Sequence, residues 1–160
     1  MKKLLIIFAL LFTGTVSWAQ SISAEETAIK KVLETETYAA HNRDYEQWIN
    51  CFAKSPDVAY GFSSLIPTYT IRNYDKLAEF GKRFMLANPV SSPEPFEFTD
   101  FQFRINGTSA FVTYLQTNTK KDGSKQPYYK ADYLEKINGE WKIIGHYFVQ
   151  QPQPATDGGN

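Results

Sequence analysis

The chain has 160 residues, 17 acidic and 17 basic, and a formal net charge of zero; hydrophobic residues make up 42 %. That length predicts one globular domain, and the apolar content excludes wholesale disorder. The balanced charge speaks against a nucleic-acid binder, which needs a basic face for phosphates. The aromatic share is 16 %, which points to a well-filled core or a pocket.

The chain opens as a targeting segment. Lys2 and Lys3 precede the apolar run Leu4 to Phe12, and Ser17-Trp18-Ala19 places small residues where a signal peptidase reads. This predicts a secretory signal peptide over residues 1–19, cleaved after Ala19. The run is too short for a membrane span, which needs ~20 apolar residues. Losing Lys2 and Lys3 leaves a formal charge of −2. The first mature residue is Gln20 rather than Cys, so no lipoprotein anchor is expected, and the protein is expected in the periplasm or outside the cell. Cys51 is the only cysteine, so no internal disulfide forms, and its place in a helical pattern predicts a buried, inert thiol. Residues 20–149 are expected to fold, and residues 150–160 to form a disordered tail.

Ser23 and Glu26 form a capping box for a helix from Ala24 to Asn42, with Ile29, Val32, Leu33 and Ala40 as its apolar stripe. Asp44 and Gln47 cap a second, short helix on which Tyr45, Trp48, Ile49 and Phe52 share a face. Val58 to Ser63 and Thr68 to Arg72 read as strands around Leu65-Ile66-Pro67. A third helix runs from Tyr74 to Ala87, with Leu77, Phe80, Gly81 and Phe84 on one face, and Asn88-Pro89 ends it. Four strands follow. The first alternates from Phe96 to Ile105 with a slip at Thr99-Asp100, which predicts a bulge. Asn106-Gly107 turns the chain into Ser109 to Thr119, and this turn is a better reading of Asn106-Gly107-Thr108 than a glycosylation site. A charged loop over Lys121 to Lys125 follows. Asn138-Gly139 then joins Tyr128 to Ile137 and Glu140 to Val149 as a hairpin. The segregation of helices and strands predicts an α+β fold of order ααββαββββ.

Ala39 and Asp44 closing the first helix, Phe52-Ala53 closing the second, and Asn138-Gly139-Glu140-Trp141-Lys142-Ile143-Ile144 leading the last strand carry a family likeness. The chain resembles the nuclear-transport-factor-two-like superfamily over Ala24 to Val149, and its SnoaL-like branch of small bacterial domains most. The resemblance implies a cone: a bent antiparallel sheet wrapped on three helices (a cystatin-like roll) around an apolar pocket, with dimers formed through the sheet. Such domains include ketosteroid isomerase, epoxide hydrolases, polyketide cyclases, the association domain of calmodulin-dependent kinase, and many binders.

Glu36 falls in the middle of the apolar stripe of the first helix, while Tyr38 falls opposite. A carboxylate there is costly unless it faces a cavity or meets a cation, and both alternatives stand. Pairing the hairpin outward from Asn138-Gly139 predicts Leu134 opposite Ile143 and Asp132 opposite Gly145. Lys130, Asp132, Leu134, Trp141, Ile143, Gly145 and Tyr147 then share one face, and Tyr129, Ala131, Tyr133, Ile144, His146 and Phe148 the other. Similarity to the kinase association domain puts the Asp132 face inward, with Tyr114 and Gln116 on the neighbouring strand. It leaves the other face for a homodimer.

In ketosteroid isomerase a helix-one tyrosine, a first-strand base and a hairpin aspartic acid do the chemistry. The matching positions here are Glu36, Tyr60 and Asp132, so the base is missing from its strand. Asp132 is expected to form a salt bridge with Lys130 or to sit at the rim. The ligand-binding set predicted is Glu36, Trp48, Tyr60, Tyr114, Gln116, Asp132 and Tyr147, with Glu36 and Asp132 as the acid–base candidates. His41 and His146 lie at no metal-ligand spacing, and no phosphate loop or nucleophile elbow occurs, so no metal or cofactor is expected. Three readings remain: a binder of a small apolar molecule; a cofactor-independent isomerase, hydratase or cyclase; and a dimeric interaction module with a vestigial pocket.

Overall fold

The computed structural model describes residues 23–63, 68–89 and 94–150. In chain order it has α1 (Ala24–Asn42), α2 (Tyr45–Asn50), β1 (Ala59–Ser63), β2 (Thr68–Arg72), α3 (Tyr74–Ala87), β3 (Phe96–Asn106), β4 (Ser109–Thr119), β5 (Lys125–Ile137) and β6 (Glu140–Gln150). The element order is the predicted one. The signal peptide, the Leu65-Ile66-Pro67 connection and the tail from residue 151 lie outside the described residues. Gln150 itself closes β6, and β5 begins at Lys125 rather than Tyr128.

Local chemistry fixes the helix ends. The Ser23 hydroxyl accepts from the Glu26 amide, and the Glu26 carboxylate accepts from the Ser23 amide, so two orphan donors of α1 are satisfied reciprocally. Arg43 ends α1 in the left-handed region at φ 62°, and the Asp44 carboxylate caps α2 by accepting from the Gln47 amide. Asn73 caps α3 in the same way through the Asp75 amide.

The six strands form one sheet in the order β2-β1-β6-β5-β4-β3. All pairs are antiparallel except β1 with β6, so the sheet is mixed rather than wholly antiparallel. No short turn joins β1 to β6, and their relative direction is therefore free of hairpin geometry. The predicted slip in β3 is present: its register to β4 shifts between Thr99 and Gln102, with Asp100 at φ 56°. Asn138 and Gly139, at φ 52° and 86°, make the primed turn that fits the right-handed twist of a hairpin.

A second bulge changes the site. Leu134 pairs with Ile143 as predicted, but Tyr133 pairs with Gly145, leaving Ile144 as an extra residue. Past that point every β6 side chain changes face, because strand periodicity is two. Asp132 therefore pairs with His146 rather than Gly145, and Lys130 with Phe148. His146 and Phe148 face inward, and Tyr147 faces outward, reversing the predicted faces. The Tyr147 ring lies over Gly61, where a Cβ would sit 2.5 Å from its Cδ1.

The core lies between the concave sheet face and the helices. Ile29 and Leu33 of α1, Leu77 of α3, Val58, Val112, Leu134 and Ile143 are buried in it. Toward the other end of the sheet the inner face turns from aliphatic to polar and aromatic, and there the packing opens.

Candidate functional site

A cavity of about 290 Å³ lies between α1, α2, α3 and the inner faces of β1, β4, β5 and β6. Its floor is charged and its wall is apolar, with Phe62, Phe80, Met85 and Phe148 among the wall residues.

Glu36 stands at the floor, 3 % exposed. The Trp48 indole N–H donates to its Oε1 at 2.9 Å, and the Thr37 hydroxyl donates to its Oε2 at 3.1 Å. Lys130 Nζ lies 3.7 Å from Oε2 and donates to Thr37 Oγ1 at 3.1 Å. Burial pushes the Glu36 carboxyl up. The positive charges of His146 and Lys130 and the two hydrogen bonds more than offset it, so its pKa lies below the ordinary value. Both alternatives for Glu36 thus hold together: it faces the cavity and it has a cation. Trp48 reaches Glu36 because position 81 is glycine; a Cβ there would collide with the indole ring.

Beside this group, His146 Nδ1 and Asp132 Oδ1 are 2.6 Å apart, both fully buried. Asp132 is therefore neither salt-bridged to Lys130 nor at the rim; the bulge at Ile144 brings the imidazole to it instead. His146 lines the cavity and stacks on Tyr60, ring centroids 5.1 Å apart. The Asp132 carboxylate stands behind the imidazole and fixes its orientation, an arrangement suited to moving a proton at a cavity wall.

Among the described residues, Gln116 Oε1 is buried without a hydrogen-bond partner, and Tyr114 Oη and Asp132 Oδ2 are buried with no well-formed one, though Tyr114 and Asp132 are close enough to influence each other. Burial, followed by the Asp132 and Glu36 carboxylates, holds the Tyr114 hydroxyl well above its ordinary pKa, so it stays protonated. Gln116 Nε2 donates to Asn118 Oδ1 at 2.6 Å. His41, also at the cavity, is lowered by burial and then by Lys130, which favours neutral imidazole.

Of the predicted set, Glu36, Trp48, Tyr60 and Gln116 line the cavity. Tyr114 and Asp132 are buried beside it, and Tyr147 is turned out to the surface. Lys130, His146, Thr37 and Asn118 were absent from that set. The missed signal for His146 is a break in alternation: Trp141 and Ile143 are followed directly by Ile144, then His146 and Phe148. The same kind of slip announces the β3 bulge.

Among the described residues no group of three His, Cys, Asp or Glu side chains is placed to hold a metal, and no helix is long and apolar enough to cross a membrane. Cys51 is buried, donates to the Gln47 carbonyl, and has its pKa pushed up to about 12, chiefly by burial, which leaves it a poor nucleophile.

No family model matches the chain, and no curated protein matches it. Solved structures do. A cystatin-like protein of unknown function from Nostoc punctiforme shares 15 % identity at a TM-score of 0.66, covering 83 % of this chain and 96 % of its own. An NTF2-like protein of unknown function from Pseudomonas putida shares 16 % at 0.65, covering 86 % and 94 %. A Parabacteroides distasonis protein provisionally described as a ketosteroid isomerase shares 15 % at 0.59, covering 75 % and 85 %. Together with the helices and the curved sheet, these likenesses establish that the chain has the nuclear-transport-factor-two-like, cystatin-like α+β fold.

Proposed function

We propose that this protein binds a small, largely apolar molecule in the cavity, and that it does so in the periplasm or outside the cell after cleavage behind Ala19. One observation carries the reading. The carboxylates at the cavity are already engaged, Glu36 by Trp48, Thr37 and Lys130, and Asp132 by His146, while an aromatic and aliphatic wall stays open. An open apolar wall with a few fixed polar groups is the usual form of a ligand pocket. Native mass spectrometry of protein purified from its own host tests this. A retained apolar molecule and a mature N-terminus at Gln20 are the expected results. Ligand-free protein that takes up no apolar compound, or full-length protein recovered from membranes, would overturn the corresponding half.

A second reading, a cofactor-independent isomerase, hydratase or cyclase, is favoured by one feature, the buried His146–Asp132 pair at the cavity wall. It departs from the predicted roles, because Glu36 is held charged by its partners and Asp132 acts behind the imidazole. Solvent deuterium entering the retained molecule, and no longer entering it in His146→Gln, is the outcome this reading expects.

The convex sheet face carries Phe111, Tyr129, Tyr133, Tyr147 and Val149, all exposed. So apolar a patch supports a homodimer through this face. Ile144 and Phe148, once expected there, belong to the bulge and the cavity. Tyr133→Glu should shift sedimentation from dimer to monomer, and a concentration-independent monomer in the wild type would sink the dimer.

A further inference from the structure

Resting on the reading of the cavity as a binding site, we propose that its ligand carries a neutral, amide-like head. A carbonyl oxygen accepts from Lys130 Nζ, and an adjacent N–H or O–H donates to Gln116 Oε1.

Lys130 is 7 % exposed and lines the cavity. An ammonium has three N–H donors. One goes to Thr37 Oγ1, and Glu36 Oε2 at 3.7 Å lies beyond hydrogen-bond reach. The ammonium also stands near the Tyr114 and Phe148 rings, 5.9 and 5.6 Å from their centroids. Donor capacity is therefore left over at the cavity. Gln116 is 3 % exposed, lines the same cavity, and its Oε1 is a buried acceptor without a donor. Tyr114 pairs with Lys130 and Gln116 with Tyr128, so Gln116 and Lys130 are diagonal neighbours on the inner face. A head group spanning these positions meets both once the Gln116 side chain turns its covered Oε1 toward the cavity. A buried donor and a buried acceptor side by side are complementary to a carbonyl next to an N–H or O–H.

Charge decides against an acid. The site already holds two buried carboxylates with nothing bound, Glu36 with Lys130 at 3.7 Å and Asp132 with His146 at 2.6 Å. A ligand carboxylate would be a third buried anion with no cation of its own. A neutral head adds hydrogen bonds without that cost, and the body of the ligand lies against Phe62, Phe80, Met85 and Phe148.

Four probes with one aromatic body test the head: 2-naphthamide, 2-acetylnaphthalene, 2-naphthoate and naphthalene, titrated calorimetrically into the purified protein at neutral pH. Naphthamide should bind about tenfold tighter than either the ketone or the acid, the worth of one satisfied buried hydrogen bond. Gln116→Leu should bring naphthamide down to the ketone. Lys130→Met should erase the ketone's advantage over naphthalene. Naphthoate binding as tightly as naphthamide overturns the proposal, as does a preference that survives Gln116→Leu. Should Lys130→Met fail to fold, Gln116→Leu, which touches no charge, still decides. Equal binding of all four removes the head-group assignment and leaves the binding site standing; no binding by any removes both.

Discussion

Helix α1 carries two glutamates held in the same way in different surroundings. Glu25 accepts from the Trp141 indole and pairs with Lys136, each at 2.6 Å; Glu36 accepts from the Trp48 indole at 2.9 Å and meets Lys130 at 3.7 Å. The Glu25 side chain is 42 % exposed, that of Glu36 3 %. Both carboxyls are lowered, for different reasons. At Glu25 the hydrogen bonds from Lys136 and Trp141 lead. At Glu36 burial is the largest influence and works in the opposite direction, and it takes His146, Lys130, Trp48 and Thr37 together to reverse it. The same three residue types thus make a clip where water reaches them and an interdependent charge group where it does not. The exposed trio should tolerate the loss of a member, and the buried one should not.

The largest break is Lys130→Met. It strands Glu36 in the floor of the cavity with the ammonium 3.7 Å from its Oε2 gone. Removing one partner of a buried pair costs about 3–5 kcal/mol. Urea unfolding should show that loss at neutral pH. A variant as stable as the wild type would mean that Glu36 does not depend on Lys130.

Glu36→Gln is gentler because it removes the charge and keeps the shape. A lowered pKa in spite of burial means that the surroundings favour the charged form, and glutamine imitates the neutral one. Stability should fall by about 1–3 kcal/mol at neutral pH. The pH dependence has a definite sign. A folded-state pKa below the unfolded one gives stability that is fully present above the unfolded value of ~4.3 and fades as pH falls through the lowered one. The gap between wild type and Glu36→Gln should therefore narrow only in acid. A variant more stable than wild type at neutral pH would make Glu36 a strained pocket carboxylate instead.

Gly81→Ala sharpens the role of Trp48. The added methyl collides with the indole, which must move or push α3 outward. Overpacking of this kind costs about 1–3 kcal/mol. It should also weaken the hydrogen bond to Glu36, visible as a shifted indole N–H resonance for Trp48 and an unmoved one for Trp141. Movement of both signals would mean a global rather than a local response.

How legible all this was in the sequence follows from range. The capping box of Ser23 and Glu26, the Asn138-Gly139 turn and the β3 bulge are written in neighbouring residues, and the structure has them, and the order of elements, where the sequence predicts them. Glu36 was legible as an anomaly because a carboxylate interrupts an apolar stripe. Its partners were not, since Trp48 and Lys130 reach it from other elements. The faces of β6 failed for one local reason: Ile143 and Ile144 are both apolar, so neither marks itself as the extra residue, and a slip of one moved His146, Tyr147 and Phe148 together. The parallel pairing of β1 with β6 has no local signal at all, because it joins segments from the two ends of the fold.

The smallest effect is expected at Glu25. Glu25→Gln removes the partner of Lys136 and keeps an acceptor for the Trp141 indole, and water can solvate the freed ammonium. The loss of stability should be smaller than for Glu36→Gln, since an exposed ion pair gives up little when it is broken. Salt separates the two sites further. At ~1 M salt the screening length is about 3 Å, so the melting curves of wild type and Glu25→Gln should converge. The Glu36→Gln gap should persist, because its charges lie where counterions do not reach. A Glu25→Gln loss that is equally large, or indifferent to salt, would show that the clip at the start of α1 anchors the hairpin as firmly as the buried group anchors the cavity floor.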